Sequence, residues 1–310
     1  MNTTPFRQTL KLDKSFTTSI YKPKTRIKEY VLKSQIVSLL ENHKDTLINY
    51  SPDSYQHRYF TDEKAQLNRI MEGMDSDHFE ATYNLPKHKW GRVIPSFYKS
   101  LSIMHRPTRH AVCVKLYIDL DFENCEANVL FECVSQYLIG HPEQSVDMSS
   151  LEEYCEKPKF IRDILIEYYE VEDEVVSGRK SITKKDKIKG LLIGLMNGGS
   201  QDKFRSHNKI TKPDHEFVIS FKQEIQNIMT IVFKFNEHIV DAILKETPSH
   251  FEDKNTSGRA MSAVSLEKAK KRTCMAFFYQ TIERKMQESA ILTITTTYSV
   301  PIESIVPCQD

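Results

Sequence analysis

Two carboxylates five positions apart, Asp121 and Glu126, stand within YIDLDFENCEANVLF, the run from Tyr117 to Phe131. Upstream, Val112, Val114, Leu116, Ile118 and Leu120 alternate with other residues, which predicts a half-buried strand leading to Asp121. Downstream, Leu130, Cys133, Val134 and Leu138 recur at helical spacing. The spacing therefore puts Asp121 at a strand end and Glu126 in the first turn of a helix. An acid at a strand end with a second acid one turn on suits a metal-bound phosphate. An acidic pair at a helix start is also commonplace, because the helix dipole favours it there. The weight falls on the other charged groups of the chain.

Those groups are basic and occur in blocks. Arg92 follows Trp90-Gly91, and His105, Arg106, Arg109 and His110 crowd before the expected strand. Arginines at that place would set phosphate-binding charge beside metal-binding charge. Further on, Lys185 and Lys189 are one helical turn apart. Ile188, Leu191, Leu192 and Leu195 can pack on the opposite side, and Asn197-Gly198-Gly199-Ser200 stops the helix. Two lysines on one face above a glycine terminator suit a triphosphate, although surface lysines and surface ion pairs are the ordinary use of each block alone.

The elements that must position these residues are mostly helical. A polar leader precedes a helix with Ile27, Tyr30, Val31, Ile36, Leu39 and Leu40 as its stripe, and Glu63–Met74 continues as a second helix. Ser149–Glu170 reads as acidic and helical, Gln201–Asp214 as a polar loop, and Phe217–Lys245 as a helix with Ile225, Ile228, Met229, Val232 and Phe233 in its core stripe. A long helix spans about Ser262–Glu288, its basic start (Lys268, Lys270, Lys271, Arg272) suited to a nucleic-acid backbone. Ile302–Val306 reads as a strand. At 310 residues, 39% hydrophobic and 27% charged, the chain can bury one large core or two. No apolar run approaches the ~20 residues of a membrane span, and the first residues lack a signal-peptide core. Six cysteines without a CxxC pair or zinc spacing point to reduced thiols in a soluble, intracellular protein. Hard oxygen ligands, hence magnesium, remain open.

Taken in order, the blocks resemble the polymerase core of family A DNA polymerases, in particular the divergent branch of virophages, transpovirons and related giant-virus elements. The resemblance covers roughly residues 89–310. Trp90-Gly91-Arg92 resembles the TGR block, whose arginine contacts primer-template, and Arg106 and Arg109 lie in a run similar to the arginine-bearing segment before the first palm strand. DFENCEANVLF resembles the first catalytic motif, DxSQIELRVLA. By that resemblance Asp121 and the Phe122 carbonyl hold metal, and Glu126 lines the sugar pocket. Lys185, Lys189 and the NGGS terminator resemble the fingers helix RxxxKxxxFxxxYG: Lys189 takes the triphosphate lysine's place, Lys185 replaces the arginine, Ile193 replaces the aromatic, and Asn197 replaces the tyrosine that pairs with the sugar-pocket glutamate. Gln309-Asp310 resembles the start of the HDE-type motif, with Asp310 as the second metal aspartate.

The fold implied is α/β (α+β): a right-hand palm with an antiparallel sheet and mostly helical fingers. Residues 1–88 would form an N-terminal helical region, a reduced thumb. Residues 89–160 would form the first part of the palm, 161–260 the fingers, and 261–310 the return to the palm. The reaction implied is template-directed nucleotidyl transfer for replicating a viral or mobile element. Two magnesium ions ~3.5–4 Å apart would stabilise the attacking and leaving oxygens, and DNA primer-template and nucleoside triphosphates would be the partners. A chain ending on Asp310 reads as a polymerase core cut short, with activity impaired unless a missing C-terminal segment is supplied, and with a helicase as a further partner. Two alternatives share these residues: an inactive primer-template or single-strand binding remnant, and a metal-dependent nuclease using Asp119 and Asp121.

Overall fold

The computed structural model describes residues 9–22, 24–48, 55–96, 99–113, 116–117, 122–174, 182–246 and 262–307. It is a mixed α/β structure, mainly helical, with one small antiparallel sheet. Two compact units divide it. One comprises Met1–Thr18, Lys87–Gly91 and Phe122–Lys285, the other Ser19–Pro86, Arg92–Asp121 and Met286–Asp310.

The second unit holds the sheet. Strand β1 (Thr25–Tyr30) pairs along its length with β3 (His78–Asn84), Ile27 opposite Ala81 and Glu29 opposite Phe79. Two short strands, β2 (Met74–Asp75) and β4 (Ile94–Pro95), also pair antiparallel with β3. Alternation sorts the faces: Ile27, Glu29, Phe79, Ala81 and Tyr83 are buried, while Arg26, Lys28 and Glu80 face solvent. The buried face joins one core with Ile36 of helix α1 (Lys33–Ile48), Leu67 and Ile70 of α2 (Tyr55–Glu72), and Val112 of α3 (Arg106–Val112). Three polar side chains tie those helices together inside the core. Thr108 Oγ1 donates to Glu63, and His43 Nε2 lies 2.8 Å from the other Glu63 oxygen.

This unit departs from expectation in three ways. The stretch expected to be helical, 1–88, contains three of the four strands, because the stripe from Ile27 to Leu40 is broken after Tyr30. The strand expected to begin at Val112 starts instead as the end of α3, whose first turn accepts Pro107 without losing a hydrogen bond. Cys113 and Leu116 then lie in a turn, Leu116 N–H donating to Cys113 O at 2.9 Å, and Tyr117 is irregular. The rest of that strand, Val114, Lys115 and Ile118–Asp121, lies outside the described residues. Finally, Ile302–Ser304 forms a 3-10 turn, since Pro301 and Pro307 bracket the expected strand and neither has an N–H for a ladder.

The first unit is helical: α4 (Cys125–Gly140), α5 (Ser149–Glu156), α6 (Pro158–Tyr169), α7 (Lys184–Met196), α8 (Gln201–His207), α9 (Glu216–Glu246) and α10 (Ala263–Tyr298) up to Lys285. The expected helix 149–170 is interrupted at Lys157, ahead of Pro158. The expected loop 201–214 begins as a short helix, with the Ser200 side chain accepting the Asp202 N–H. The core stripe of α9 is as the periodicity predicts, with Ile225, Ile228, Met229 and Val232 buried.

Two buried polar residues of α9 fix neighbouring segments. Glu224 accepts the N–H groups of Ser150 and Leu151 at 2.9 and 3.0 Å, capping α5. Asn236, at a break in helical geometry, accepts Leu12 N–H and donates to Leu10 O and Val232 O. Helix α10 runs ten residues past Glu288 despite its β-branched end. There Thr293 and Thr296 turn their hydroxyls back onto the carbonyls of Ser289 and Leu292.

Candidate functional site

The α7 helix is built to present its basic face. Thr183 and Asp186 form a reciprocal capping box at its start. Ile188, Leu191, Leu192, Leu195 and Met196 are buried, which leaves Lys185 and Lys189 exposed together on the outer face. Its end is a Schellman turn: Gly198 N–H donates to Leu195 O at 2.8 Å and Gly199 N–H to Gly194 O at 2.7 Å. Gly198 sits at φ +72°, where a Cβ would lie 2.6 Å from Met229 Cε and 2.8 Å from Arg272 Cγ. The terminator read from the sequence is thus also a packing point between α7, α9 and α10. Ile193 is half-buried, and Asn197 spends its side-chain amide on Ile193 O at 3.0 Å.

Glu126 stands in the first turn of α4, half-buried, as the spacing predicts. Phe122 precedes that turn and Asn124 caps it in the left-handed region, φ 51°. Helix α4 packs on α5 and on α7. Helix α10 closes the arrangement: the Tyr279 hydroxyl donates to Met196 O, in the last turn of α7, at 3.4 Å. Burial pushes the Tyr279 phenol well above its usual range, and the charge of Glu126 pushes it further. Tyr154 of α5 shows the same two influences, burial first, with Arg162 opposing. The helix that carries Glu126 thus packs on those that carry Tyr154 and Met196, and the Tyr279 bond joins α10 to the last of these.

Trp90 and Gly91 lie against α10 and α9 in the same unit. Gly91 N–H donates to Thr281 Oγ1 at 2.8 Å, and Gly91 at φ +84° leaves room for Phe277 and Gln280 3.0 Å from where a Cβ would stand. Trp90 meets His238 edge-on, ring centroids 5.3 Å apart, and His88 meets Phe277 at 5.0 Å. Arg92, Arg106 and Arg109 belong to the other unit. Arg92 is half-buried, and Arg109 is only 6% exposed, which removes it from a surface that a nucleic-acid backbone would cover. Arg106 has its backbone in α3, and its side chain lies outside the described residues.

Asp119, Asp121, Gln309 and Asp310 also lie outside the described residues. Among the described residues no group of three or more His, Cys, Asp or Glu is placed to hold a metal, and no helix is long and apolar enough to cross a membrane. The bonds by which Tyr279 and Thr281 tie α10 to α7 and to Gly91 have no signature in the sequence. Tyr279 sits in the apolar stripe of Phe277, Phe278 and Ile282, and only the three-dimensional neighbourhood distinguishes it from core. The chain matches no protein-family model, no curated protein and no solved structure.

Proposed function

We propose that this chain is a template-directed nucleotidyltransferase, a DNA polymerase core resembling family A. The observation that carries the reading is the packing of α4, which bears Glu126 in its first turn, on α7, whose exposed face bears Lys185 and Lys189. Acid and cation come from the two segments that the reaction would need beside one nucleotide.

In this reading Lys185 and Lys189 take the triphosphate and neutralise charge on the departing pyrophosphate. Glu126 bears on the sugar. Ile193 gives the nascent base only apolar contact, weaker than an aromatic face. Arg92, next in sequence to the anchored Gly91, contacts the primer-template. By the resemblance, Asp121, the Phe122 carbonyl and Asp310 would supply oxygen donors, the ligand type magnesium prefers. Two magnesium ions bound there would activate the primer 3′-oxygen and stabilise the leaving group.

Primer extension with purified protein tests it. Lys189→Ala should reduce extension by roughly 10²-fold, on the scale of losing one stabilising charge from a transferring phosphoryl group. Asp121→Ala should abolish extension and leave primer-template binding intact. Magnesium-dependent cleavage of DNA without nucleotides would instead favour a nuclease, and salt-dependent DNA binding without extension would favour a binding remnant.

A further inference from the structure

We propose that the N-terminal segment Thr9–Thr18 is a releasable strap on the helical unit, and that its docking holds Lys89-Trp90-Gly91 in the conformation from which Arg92 meets nucleic acid. The strap stands on hydrogen bonds and burial alone, and its bearing on nucleic acid rests on the polymerase reading above.

The segment lies on the unit as an extended peptide lies in a groove. Leu10 and Leu12 are buried and Lys11 between them is exposed, the two-residue alternation of an extended chain. Asn236 of α9, itself fully buried, reads the backbone on either side of Lys11: Leu12 N–H donates to its Oδ1 at 2.9 Å, and its Nδ2 donates to Leu10 O at 2.7 Å. Helix α9 leaves helical geometry at this residue, φ −125° and ψ 19°. A 3-10 turn, Lys14–Thr17, follows and buries Phe16. Two consecutive residues of α10 hold the exit, Arg284 donating to Phe16 O and Lys285 Nζ to Thr18 O at 2.7 Å. The burial of Leu10, Leu12 and Phe16 is largely offset by the entropy of ordering the whole segment, so the strap should open more readily than the helices beneath it.

The same arginine joins the strap to a second segment. Arg284 is 1% exposed, and its guanidinium donates to Lys89 O at 3.5 Å as well as to Phe16 O. Lys89 is not a glycine, yet it sits at φ +61° to +65° no more comfortably than any side-chain-bearing residue: its φ is 65°, in the left-handed region. Such a backbone persists where its surroundings over-determine it. Here the Arg284 bond fixes the Lys89 carbonyl, Trp90 is buried against His238, and Thr281 holds the Gly91 N–H. A buried guanidinium that loses an acceptor must find another, because a charge stripped of partners in a core is costly. Release of the strap takes Phe16 O away from Arg284 and frees the guanidinium to turn, and with it the carbonyl that keeps Lys89 left-handed. The strap and the segment before Arg92 therefore loosen together.

Amide hydrogen exchange on the full 310-residue chain, read by mass spectrometry, tests the coupling. In the native chain Thr9–Thr18 should exchange faster than α9. Leu12→Asp loosens the strap from its own side and leaves the sequences of α9 and α10 untouched. It should raise exchange in Thr9–Thr18 and in Lys87–Gly91 by about tenfold, the scale of one hydrogen bond, with α6 unchanged. Asn236→Leu should do the same from the groove side. In an Arg284→Met background, Leu12→Asp should still free the strap and change Lys87–Gly91 no further. Faster exchange in the strap with Lys87–Gly91 unchanged overturns the coupling. An equal rise in α6 would make the segment part of the core and would overturn the strap itself. Affinity for a primer-template duplex is the second readout, and Leu12→Asp should weaken it by about fivefold or more. Equal affinity of variant and native chain overturns the effect on nucleic acid. A native chain that binds no DNA defeats the polymerase reading, and the strap is then decided by the exchange result.

Discussion

Thr281 Oγ1 accepts the backbone N–H of Gly91 at 2.8 Å across 190 residues of sequence, and donates its own proton to Phe277 O at 2.6 Å. One threonine on α10 thereby fixes the residue that precedes Arg92. Thr281 is fully buried, so no water is at hand to replace it. Thr281→Val keeps the shape but strands the Gly91 N–H, and should lower unfolding stability by about 1–3 kcal/mol in urea titration. Thr281→Ser should recover most of the loss. Equal stability of the valine and serine variants would mean that the bond contributes nothing.

Glu29 should make the stability of the second unit depend on pH. Burial pushes its carboxyl up to about 7, against the pull of Leu101 N–H, the Tyr83 and Ser100 hydroxyls, and Lys99. Between its ordinary value of 4.5 and about 7, the folded chain keeps a proton that the unfolded chain releases. Stability from this group is therefore complete below pH 4.5, declines as pH rises to about 7, and is flat above that. The decline should total roughly 3 kcal/mol. Denaturant titrations at pH 5 and pH 8 should show it in the native chain, and Glu29→Gln should remove that component of the slope. An identical slope in the variant would exclude Glu29 as its source.

Gly198 and Gly194 of the same terminator should respond in opposite directions to alanine. At Gly198 the positive φ and the nearness of Met229 and Arg272 both penalise a Cβ, for a loss of about 1–2 kcal/mol. At Gly194, within α7, nothing lies within 4 Å of the added carbon, and helix propensity alone should give a gain of about 0.5–1 kcal/mol. Thermal midpoints of the two single variants decide it. If the Schellman turn also sets where α7 ends, Gly198→Ala should weaken triphosphate binding while Gly194→Ala leaves it unchanged.

The helical unit was largely legible because its signals are local. The buried stripe and the glycine terminator of α7 both lie within Ile188–Gly199, and the structure reproduces each; the capping box of Thr183 and Asp186 is equally local. The sheet was misread for an equally local reason. Ile27, Tyr30, Val31 and Ile36 happen to meet a helical period, although a strand ends at Tyr30 and a helix begins only at Lys33. The alternation Phe79, Ala81, Tyr83 marks β3 plainly, although it follows the helical stretch Glu63–Met74 and falls within the region 1–88 expected to be helical. Of the candidate site, the exposed pair Lys185 and Lys189 followed from spacing alone. The packing of α4 on α7, which brings the helix bearing Glu126 against the helix bearing those lysines, did not, because no short window of sequence contains both.

The cap that Glu224 places on α5 bears on how the chain folds. Eight residues are too few for a stable helix in water, where isolated helices shorter than ~12–15 residues are marginal. Two of the N–H groups at the start of α5 wait for a carboxylate more than seventy positions later. During synthesis, then, Ser149–Glu156 should stay unformed until α9 has emerged, and the two helices should appear together. Loss of the Glu224 cap would slow the commitment of the helical unit as well as weaken its final state.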